Sequence, residues 1–407
     1  MEESHGLDTK LIERLLKKRF HDEKPTDVIS VEVVRAVPKG QNYASLIYRV
    51  KMDCMTATGK KKLFSVIVKA ALESEGAKKA LEGLTVFHNE IRVFTTILPM
   101  MEALMEEFHD RRETLWADLI GFQPYNMIAF DDLSDKEYIV ADRRQNLDFN
   151  HSKLVLRNLA RFHAMGKVLM TRGLITADDK GQLLMAGDAP FMRKWWDIVI
   201  TVIADAMENS WGEEWKEIAN KMRNQMGKVG NKLRSIISDN VDQRFEVLNH
   251  GDAWTCNMMF KYMEHEDKFP VSTKFLDYQG CHVNSFIWDL AQFLFSSAVP
   301  DVRRSRLPEL LEIYQKALEK NMNFYNYSGY VPTLEDVKSE WSRIEYGHLC
   351  FVIPQPIVVA ETSSAFDLEK VATHPPHEVI DPTVFNDGKA LRDVGEDYKI
   401  LAAHGVI

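Results

Sequence analysis

The chain has 407 residues, of which 45% are hydrophobic and 27% are charged, and its formal net charge is −9 at pH 7. This length and composition predict a globular protein with two or three domains, or one bilobal enzyme. The acidic balance argues against a general nucleic-acid binder, which needs a basic surface for the phosphates.

The cysteines and the apolar segments bear on the location of the protein. The four cysteines have no metal-ligand spacing and are too few for a disulfide scaffold, which favours a reducing compartment. The N-terminus is acidic and polar, unlike a signal peptide. The best candidate for a membrane segment, residues 348–360, contains two prolines and is shorter than the ~20 residues of a spanning helix. We therefore expect a cytoplasmic protein without a membrane span.

The first part of the chain has the pattern of a β-rich lobe. Residues 10–20 predict a short amphipathic helix, and three runs rich in Val, Ile, Tyr and Phe between residues 28 and 70 predict an antiparallel meander. Apolar residues recur at helical spacing over 84–98, and Pro99 is expected to separate that helix from a second one. Two strands within 118–130 complete this part.

From about residue 132 the pattern becomes mainly helical, apart from short strand-like runs at 245–249, 257–262 and 272–278. The tail beyond residue 366 is rich in Pro and Asp and is expected to be loosely ordered. A β-rich part followed by a helical part predicts an α+β bilobal fold. We place the N-terminal β-rich lobe at 1–131 and the C-terminal helical lobe at 132–407.

Two loops carry the residue types of phosphoryl transfer. In HGDAWTCN (250–257), Asp252 and Asn257 have the spacing of a kinase catalytic loop, in which the Asp accepts the hydroxyl proton and the Asn binds a metal ion. That spacing alone is common by chance. In FLDYQG (275–280), Asp277 ends an apolar strand and could hold Mg²⁺, although it could also be a simple turn residue. The two segments in this order favour a kinase.

The N-terminal lobe offers a matching ion pair. Lys69 ends the strand SVIVK, and Glu90 lies among apolar residues on the following helix. Either residue alone would be interpreted as a solvated surface charge, and their apolar contexts favour a buried pair. The turn from Lys39 to Ser45 lies where a phosphate-covering loop would sit, but it contains only one glycine, so this signal is weak.

Together these segments resemble the ecdysteroid-kinase-like family, within the larger choline-kinase and aminoglycoside-phosphotransferase-like group. The likeness covers about residues 28–360 and rests on SLIYRV, VIVK, HNEIRVFTTILP, FDDL, LARFHA, LNHGDAWTCNMMF, FLDYQG and SFIWDLAQFLFSS. The resemblance implies a protein-kinase-like bilobal fold with ATP and Mg²⁺ as cofactors. The lobe at 1–131 would bind ATP, and the lobe at 132–407 would hold the catalytic loop and the substrate pocket. Two departures are the glycine-poor phosphate loop and Tyr278, where Phe is commoner in the family.

The resemblance also implies individual roles. Asp252 would be the catalytic base, and Asn257 and Asp277 would bind Mg²⁺. His250 and Asp289 would support the catalytic loop. The residues implied to hold the nucleotide are Lys69 and Glu90 at the phosphates, Ser45 in the phosphate loop, and Phe130, Asp131, Asp132 and Leu133 in the hinge that meets adenine.

The expected reaction is phosphorylation of a small apolar alcohol, an ecdysteroid or a xenobiotic alcohol in a detoxification role. We expect pocket walls from Trp195, Trp196 and the apolar runs 198–200 and 349–353. Core packing is nevertheless the favoured interpretation of the four tryptophans of this region, Trp195, Trp196, Trp211 and Trp215. A choline- or ethanolamine-type kinase with an aromatic box stays open, as does an inactive kinase-like binding protein. A protein kinase is disfavoured, because the stretch from Asp277 to Asp289 is too short for an activation loop. The sequence does not decide the oligomeric state.

Overall fold

A computed structural model describes residues 9–20, 24–37, 45–71, 86–124, 126–176, 190–238, 242–263, 269–360, 365–386 and 388–407. The described chain has a β-rich N-terminal part and a mainly helical C-terminal part. The predicted α+β, kinase-like bilobal fold class is therefore confirmed.

The N-terminal part is built on a five-stranded antiparallel sheet with the order β1-β2-β3-β5-β4. Helix α1 (Thr9–Arg19) covers one face, where Ile12 and Leu16 join the apolar cluster formed by alternate residues of β2 and β3. The first three strands are the predicted meander. The strands are β1 (Pro25–Arg35), β2 (Ser45–Thr56), β3 (Lys61–Ala71), β4 (Leu119–Gln123) and β5 (Met127–Asp131).

A helical segment packs on the opposite face of this sheet. It consists of α2 (Val86–Arg92), a π-helical turn (Val93–Ile97) and α3 (Leu98–Glu107), and the ring centroid of Phe94 lies 4.6 Å from that of Phe130. The predicted break at Pro99 is wrong. The π turn places this proline in the first turn of α3, where a missing N–H costs little.

The C-terminal part surrounds the long helix α4 (Phe149–Thr171) with further helices and two small sheets, β6-β8-β9 and β7-β10. The strands are β6 (Ile139–Val140), β7 (Glu246–Asn249), β8 (Met258–Tyr262), β9 (Pro270–Phe275) and β10 (His282–Ser285). The helices are α5 (Pro190–Asn209), α6 (Lys216–Arg223), α7 (Val229–Ser238), α8 (Ile287–Ser296), α9 (Pro300–Phe324), α10 (Leu334–Arg343), α11 (Glu345–Val352), α12 (Gln355–Val358), α13 (Pro376–Val379), α14 (Thr383–Asn386) and α15 (Lys389–Ala403).

The expectation of a loosely ordered tail is wrong. Helix α15 packs into the C-terminal core, where Tyr398 is fully buried. Asp397 forms a bidentate pair with Arg303 at 2.6 and 2.7 Å. Composition misled here because it does not show spacing: Val394, Tyr398 and Leu401 recur every three or four positions on one face of α15 and are buried.

Among the described residues, no helix combines the length and the apolar character that crossing a membrane requires. Strand β5, the last strand of the five-stranded sheet in chain order, ends at Asp131. The division of the chain at 131/132 stays a prediction.

Candidate active site

Lys69 lies near the end of β3 and faces away from α1. Side chains alternate along a strand, so the burial of Val66 and Val68 in the cluster under α1 turns Lys69 toward α2. Its Nζ lies 2.6 Å from Glu90 Oε2 and 2.7 Å from Asp277 Oδ1. Burial alone would lower the pKa of Lys69, but the charges of Asp277 and Glu90 outweigh it and raise that pKa above its usual range. The lysine is therefore a fixed cation between two carboxylates.

The 250–257 loop runs from the end of β7 to the start of β8 and is pressed against the 275–280 loop. Gly251 has a φ of +77°, and a Cβ there would lie 1.9 Å from the backbone oxygen of Gly280. Glycine is required for both reasons. The backbone N–H of Leu276 also donates to the carbonyl oxygen of Asn257 at 2.8 Å. The two loops therefore form one unit.

Asp289, fully buried in the first turn of α8, ties this unit to the C-terminal core. Its carboxylate accepts hydrogen bonds from the backbone N–H groups of His250 at 2.6 Å and Gly251 at 2.8 Å. His163 Nε2 lies 2.9 Å from the same carboxylate, and His163 Nδ1 lies 2.8 Å from the hydroxyl of Tyr314. These contacts hold the start of the 250–257 loop against α8, and the supporting roles implied for Asp289 and His250 stay predictions.

Asp252 is held by two side-chain amides. Asn257 Nδ2 donates to Asp252 Oδ2 at 2.7 Å, and Gln292 Nε2 donates to Oδ1 at 2.9 Å. Burial, and next the charge of Asp277, raise the pKa of Asp252 to about 7. A carboxylate with a pKa near the working pH is well suited to accept a proton and release it again.

The side chains of Asn257 and Asp277 fit a magnesium ion by the chemistry of their donors. The amide nitrogen of Asn257 is turned toward Asp252, and within the described residues its Oδ1 accepts no hydrogen bond. Asp277 uses one carboxylate oxygen for Lys69 and adopts a left-handed backbone with φ +62° and ψ +70°. Mg²⁺ prefers hard oxygen ligands, typically one or two from the protein and the rest from phosphates and water.

In the predicted hinge, 130–133, two side chains are polar and already bonded within the protein, and the other two are apolar and packed. The carboxylate of Asp132 is taken by Arg49 at 2.6 Å and by the hydroxyl of Ser65 at 2.7 Å, and Asp131 accepts a hydrogen bond from the backbone of residue 118. Phe130 packs on Phe94, and the side chain of the buried Leu133 lies in a small apolar cluster. Contacts of this segment to adenine would therefore come from its backbone.

Ser45 is buried at the start of β2, opposite Ala71 of β3. The rest of the predicted phosphate loop, 39–44, lies outside the described residues. Ser45 therefore marks only the point at which that loop enters the sheet.

Two contacts to the site were missed in the sequence. Asn89 Nδ2 donates to the carbonyl oxygens of Gln279 at 2.7 Å and Cys281 at 3.1 Å, and so links α2 to the 275–280 loop. Gln292, which holds Asp252, lies three residues after Asp289. That spacing puts both on one face of a helix and could have revealed Gln292. Nothing in the sequence distinguishes Asn89 from any polar residue on α2.

The predicted pocket walls are core instead. Trp196, Trp211 and Trp215 are buried, and the rings of the last two meet edge-on with centroids 5.0 Å apart. The runs 198–200 and 349–353 are likewise buried in the main apolar cluster. Core packing is therefore confirmed for these three tryptophans, and the expectation that the two runs line an open pocket is wrong.

Comparison with known protein families identifies a match. The model of the ecdysteroid kinase-like family matches residues 39–327, which is more than half of the chain and includes Lys69, Glu90, Asp252 and Asp277. No curated protein matches the sequence.

Proposed function

The chain belongs to the ecdysteroid kinase-like family, and on that premise we propose that it transfers the γ-phosphoryl group of ATP to a hydroxyl of a small-molecule alcohol in a Mg²⁺-dependent reaction. The family is one of kinase-like phosphotransferases, which implies the use of ATP. One observation carries the proposal. Lys69 Nζ contacts both Glu90 and Asp277, which brings a strand, a helix and a loop from both parts of the chain to one point, as phosphate binding requires.

The proposed roles follow from the contacts. Lys69 holds the phosphates, and Glu90 fixes the lysine in place. Asp252 accepts the proton of the acceptor hydroxyl. The oxygen of that hydroxyl bonds to the γ-phosphorus while the bond between the γ-phosphorus and the bridging oxygen of ADP breaks. Asn257 and Asp277 would hold Mg²⁺, which neutralises charge on the phosphates when bound. Positioning and electrostatic stabilisation, rather than covalent catalysis, provide the rate.

We propose that the acceptor is an apolar alcohol, either an ecdysteroid or a xenobiotic alcohol. This proposal rests on the family alone, because the residues expected to form the pocket walls are buried in the core. A choline-type kinase is the second candidate. It would need an exposed aromatic box for the quaternary ammonium, and the burial of Trp196, Trp211 and Trp215 weighs against these residues as its walls. An inactive binding protein is disfavoured because residues 69, 90, 252, 257 and 277 all carry competent side chains.

The test is phosphoryl transfer by the purified chain. The chain would be incubated with Mg²⁺, ATP and a panel of alcohols: hydroxylated steroids, xenobiotic alcohols and choline. Mass spectrometry would identify the phosphorylated product. Lys69→Ala should lower the rate by about 10² or more. Lys61→Ala, on the same strand with a 60% exposed side chain, is the matched control and should not change it. Mg·ATP binding without turnover of any alcohol would favour an inactive binding protein instead.

A further inference from the structure

The basic residues of the chain are concentrated near its N-terminal end. Residues 1–71 contain 14 basic and 9 acidic residues, whereas the rest of the chain contains 37 basic and 51 acidic ones. The net charge of −9 therefore divides into +5 for the first segment and −14 for the second. Such an asymmetry directs one end of a protein toward an anionic partner.

Helix α1 presents a row of positive charges on its outer side. It has five basic residues and a single acidic one, Glu13, which pairs with Lys17 at 2.6 Å. Its apolar side, with Ile12 and Leu16, packs on the sheet. Four of the basic residues recur at the spacing i, i+4, i+7 and i+8, which places them together on the side away from the sheet: Lys10, Arg14, Lys17 and Lys18.

The hairpin between β2 and β3 adds further lysines beside the end of this helix. Lys62 Nζ lies 5.6 Å from the ring centroid of Phe20, the residue that follows α1. At the tip of the hairpin, the backbone N–H of Ala57 donates to the carbonyl oxygen of Lys24 at 3.0 Å. Helix and hairpin thus form one positively charged area, called here the basic surface, which consists of Lys10, Arg14, Lys17, Lys18, Lys24, Lys60 and Lys62.

The edge strand β1, against which α1 packs, exposes two valines on the same side of the sheet. Val31 pairs with Met52 and Val33 pairs with Val50, and both partners belong to the apolar cluster under α1. Cross-strand neighbours point to the same side of a sheet. The two valines therefore lie on the α1 side, where they are 41% and 39% exposed. Lysine ammonium groups and aliphatic side chains occur together on this side of the molecule.

The partner of the basic surface is not the nucleotide, because Lys69 faces the opposite side of the sheet. Single-stranded nucleic acids bind through exposed aromatic rings on which bases stack. The rings of Phe20 and Phe64 lie beneath Lys62 instead, with centroids 5.6 and 5.1 Å from its Nζ. Nucleic acid also offers nothing apolar to the exposed valines. Lysines next to aliphatic side chains match the anionic headgroups and the acyl boundary of a membrane.

We propose that the basic surface, together with Val31 and Val33, docks the protein on an anionic membrane. The inference goes beyond the proposed kinase function and does not depend on it. Each Lys or Arg near such a membrane strengthens binding by about fivefold, and salt screens the attraction. Docking through α1 leaves the side of the sheet that carries Lys69 uncovered, so the candidate active site stays accessible.

Sedimentation of the full chain with lipid vesicles tests this proposal. Vesicles of phosphatidylcholine alone would be compared with vesicles that also contain about 30% phosphatidylserine. We expect binding to the anionic vesicles that is lost between about 0.05 and 0.5 M salt, and little binding to the neutral ones. Binding should weaken by about 10² in a variant that lacks three exposed charges of the basic surface, with the substitutions Lys10→Gln, Lys18→Gln and Lys60→Gln.

A matched control removes the same charge from the C-terminal part of the chain. It carries Lys216→Gln, Lys316→Gln and Lys338→Gln, all at exposed lysines, and should change the affinity for vesicles by less than about twofold. Val31→Asn, which alters no charge, should weaken binding to the anionic vesicles by about threefold. An unchanged affinity in that variant would contradict a contact between the valines and the membrane.

Several results would overturn the inference. They are no binding to anionic vesicles, equal binding to neutral and anionic vesicles, or equal losses in the two triple variants. Tighter binding of a short oligonucleotide, lost in the variant of the basic surface, would assign this surface to nucleic acid and overturn it as well. Lys69→Ala should bind vesicles as the wild type does. Vesicle binding and phosphoryl transfer are therefore tested separately, and the failure of one leaves the other standing.

Discussion

Asp289→Asn replaces one oxygen of a fully buried carboxylate by an N–H₂ group and leaves the shape of the side chain unchanged. One oxygen accepts hydrogen bonds from the backbone of His250 and from His163, and the other accepts one from the backbone of Gly251. The substitution destabilises the fold least when the amide nitrogen takes the place of the oxygen that accepts from Gly251, because the other oxygen accepts two hydrogen bonds. There the nitrogen faces the Gly251 N–H, so two donors point at each other and neither is satisfied.

Each unsatisfied buried donor costs about 1–3 kcal/mol, so we expect the two donors in Asp289→Asn to lower the free energy of unfolding by about 2–6 kcal/mol. Equilibrium urea denaturation followed by tryptophan fluorescence would measure the change. The same substitution at Asp301, whose side chain is 96% exposed, is the control and should stay within about 0.5 kcal/mol of wild type. A change at Asp289 no larger than in the control would refute the account of how the loop is held.

Three further predictions concern the metal ligand, the loop contact and acid stability. Asp277→Ala should remove the Mg²⁺-dependent part of ATP affinity, and calorimetric titrations that give the same affinity with and without the substitution would contradict its assignment. Gly251→Ala should lower kcat by about 10², because a displacement of the loop by about 1 Å is enough for such a loss. Gly59→Ala, also at φ +77° but with open space around the new Cβ, should leave kcat unchanged, and equal effects at both glycines would reject the clash as the cause. Burial alone would raise the pKa of Asp110, but hydrogen bonds from Arg112 outweigh it and hold this pKa below its usual range. A depressed carboxyl pKa stabilises the fold above the unfolded-state pKa, so the loss of thermal stability in Asp110→Asn should be full near neutral pH and shrink as the pH falls below about 3.9. A loss that is independent of pH would show that the charge of Asp110 contributes nothing.

The sequence predicted those parts of the site that depend on local spacing. Asp252 and Asn257 are five residues apart in one loop, and the structure places their side chains 2.7 Å apart. Lys69 and Glu90 could be paired from their places at the end of an apolar strand and on the next helix. The contact of Lys69 with Asp277 was not predicted, because the two residues lie 208 positions apart in the chain.

The sequence could not predict whether an apolar run forms core or pocket wall. The run 349–353 has the same composition in either case, and only the packing of α11 among its neighbouring helices shows that it is buried.

The most direct test of the central claim is the rate of phosphoryl transfer in Asp252→Asn under single-turnover conditions, with Mg·ATP affinity measured on the same preparation. Removal of a general base typically costs ~10²–10⁴ in rate, and Asp252 contacts Asn257 and Gln292 rather than Lys69. We therefore predict a loss of that size with nearly unchanged affinity for Mg·ATP. A variant that keeps more than half of the wild-type rate would contradict the assignment of Asp252 as the catalytic base.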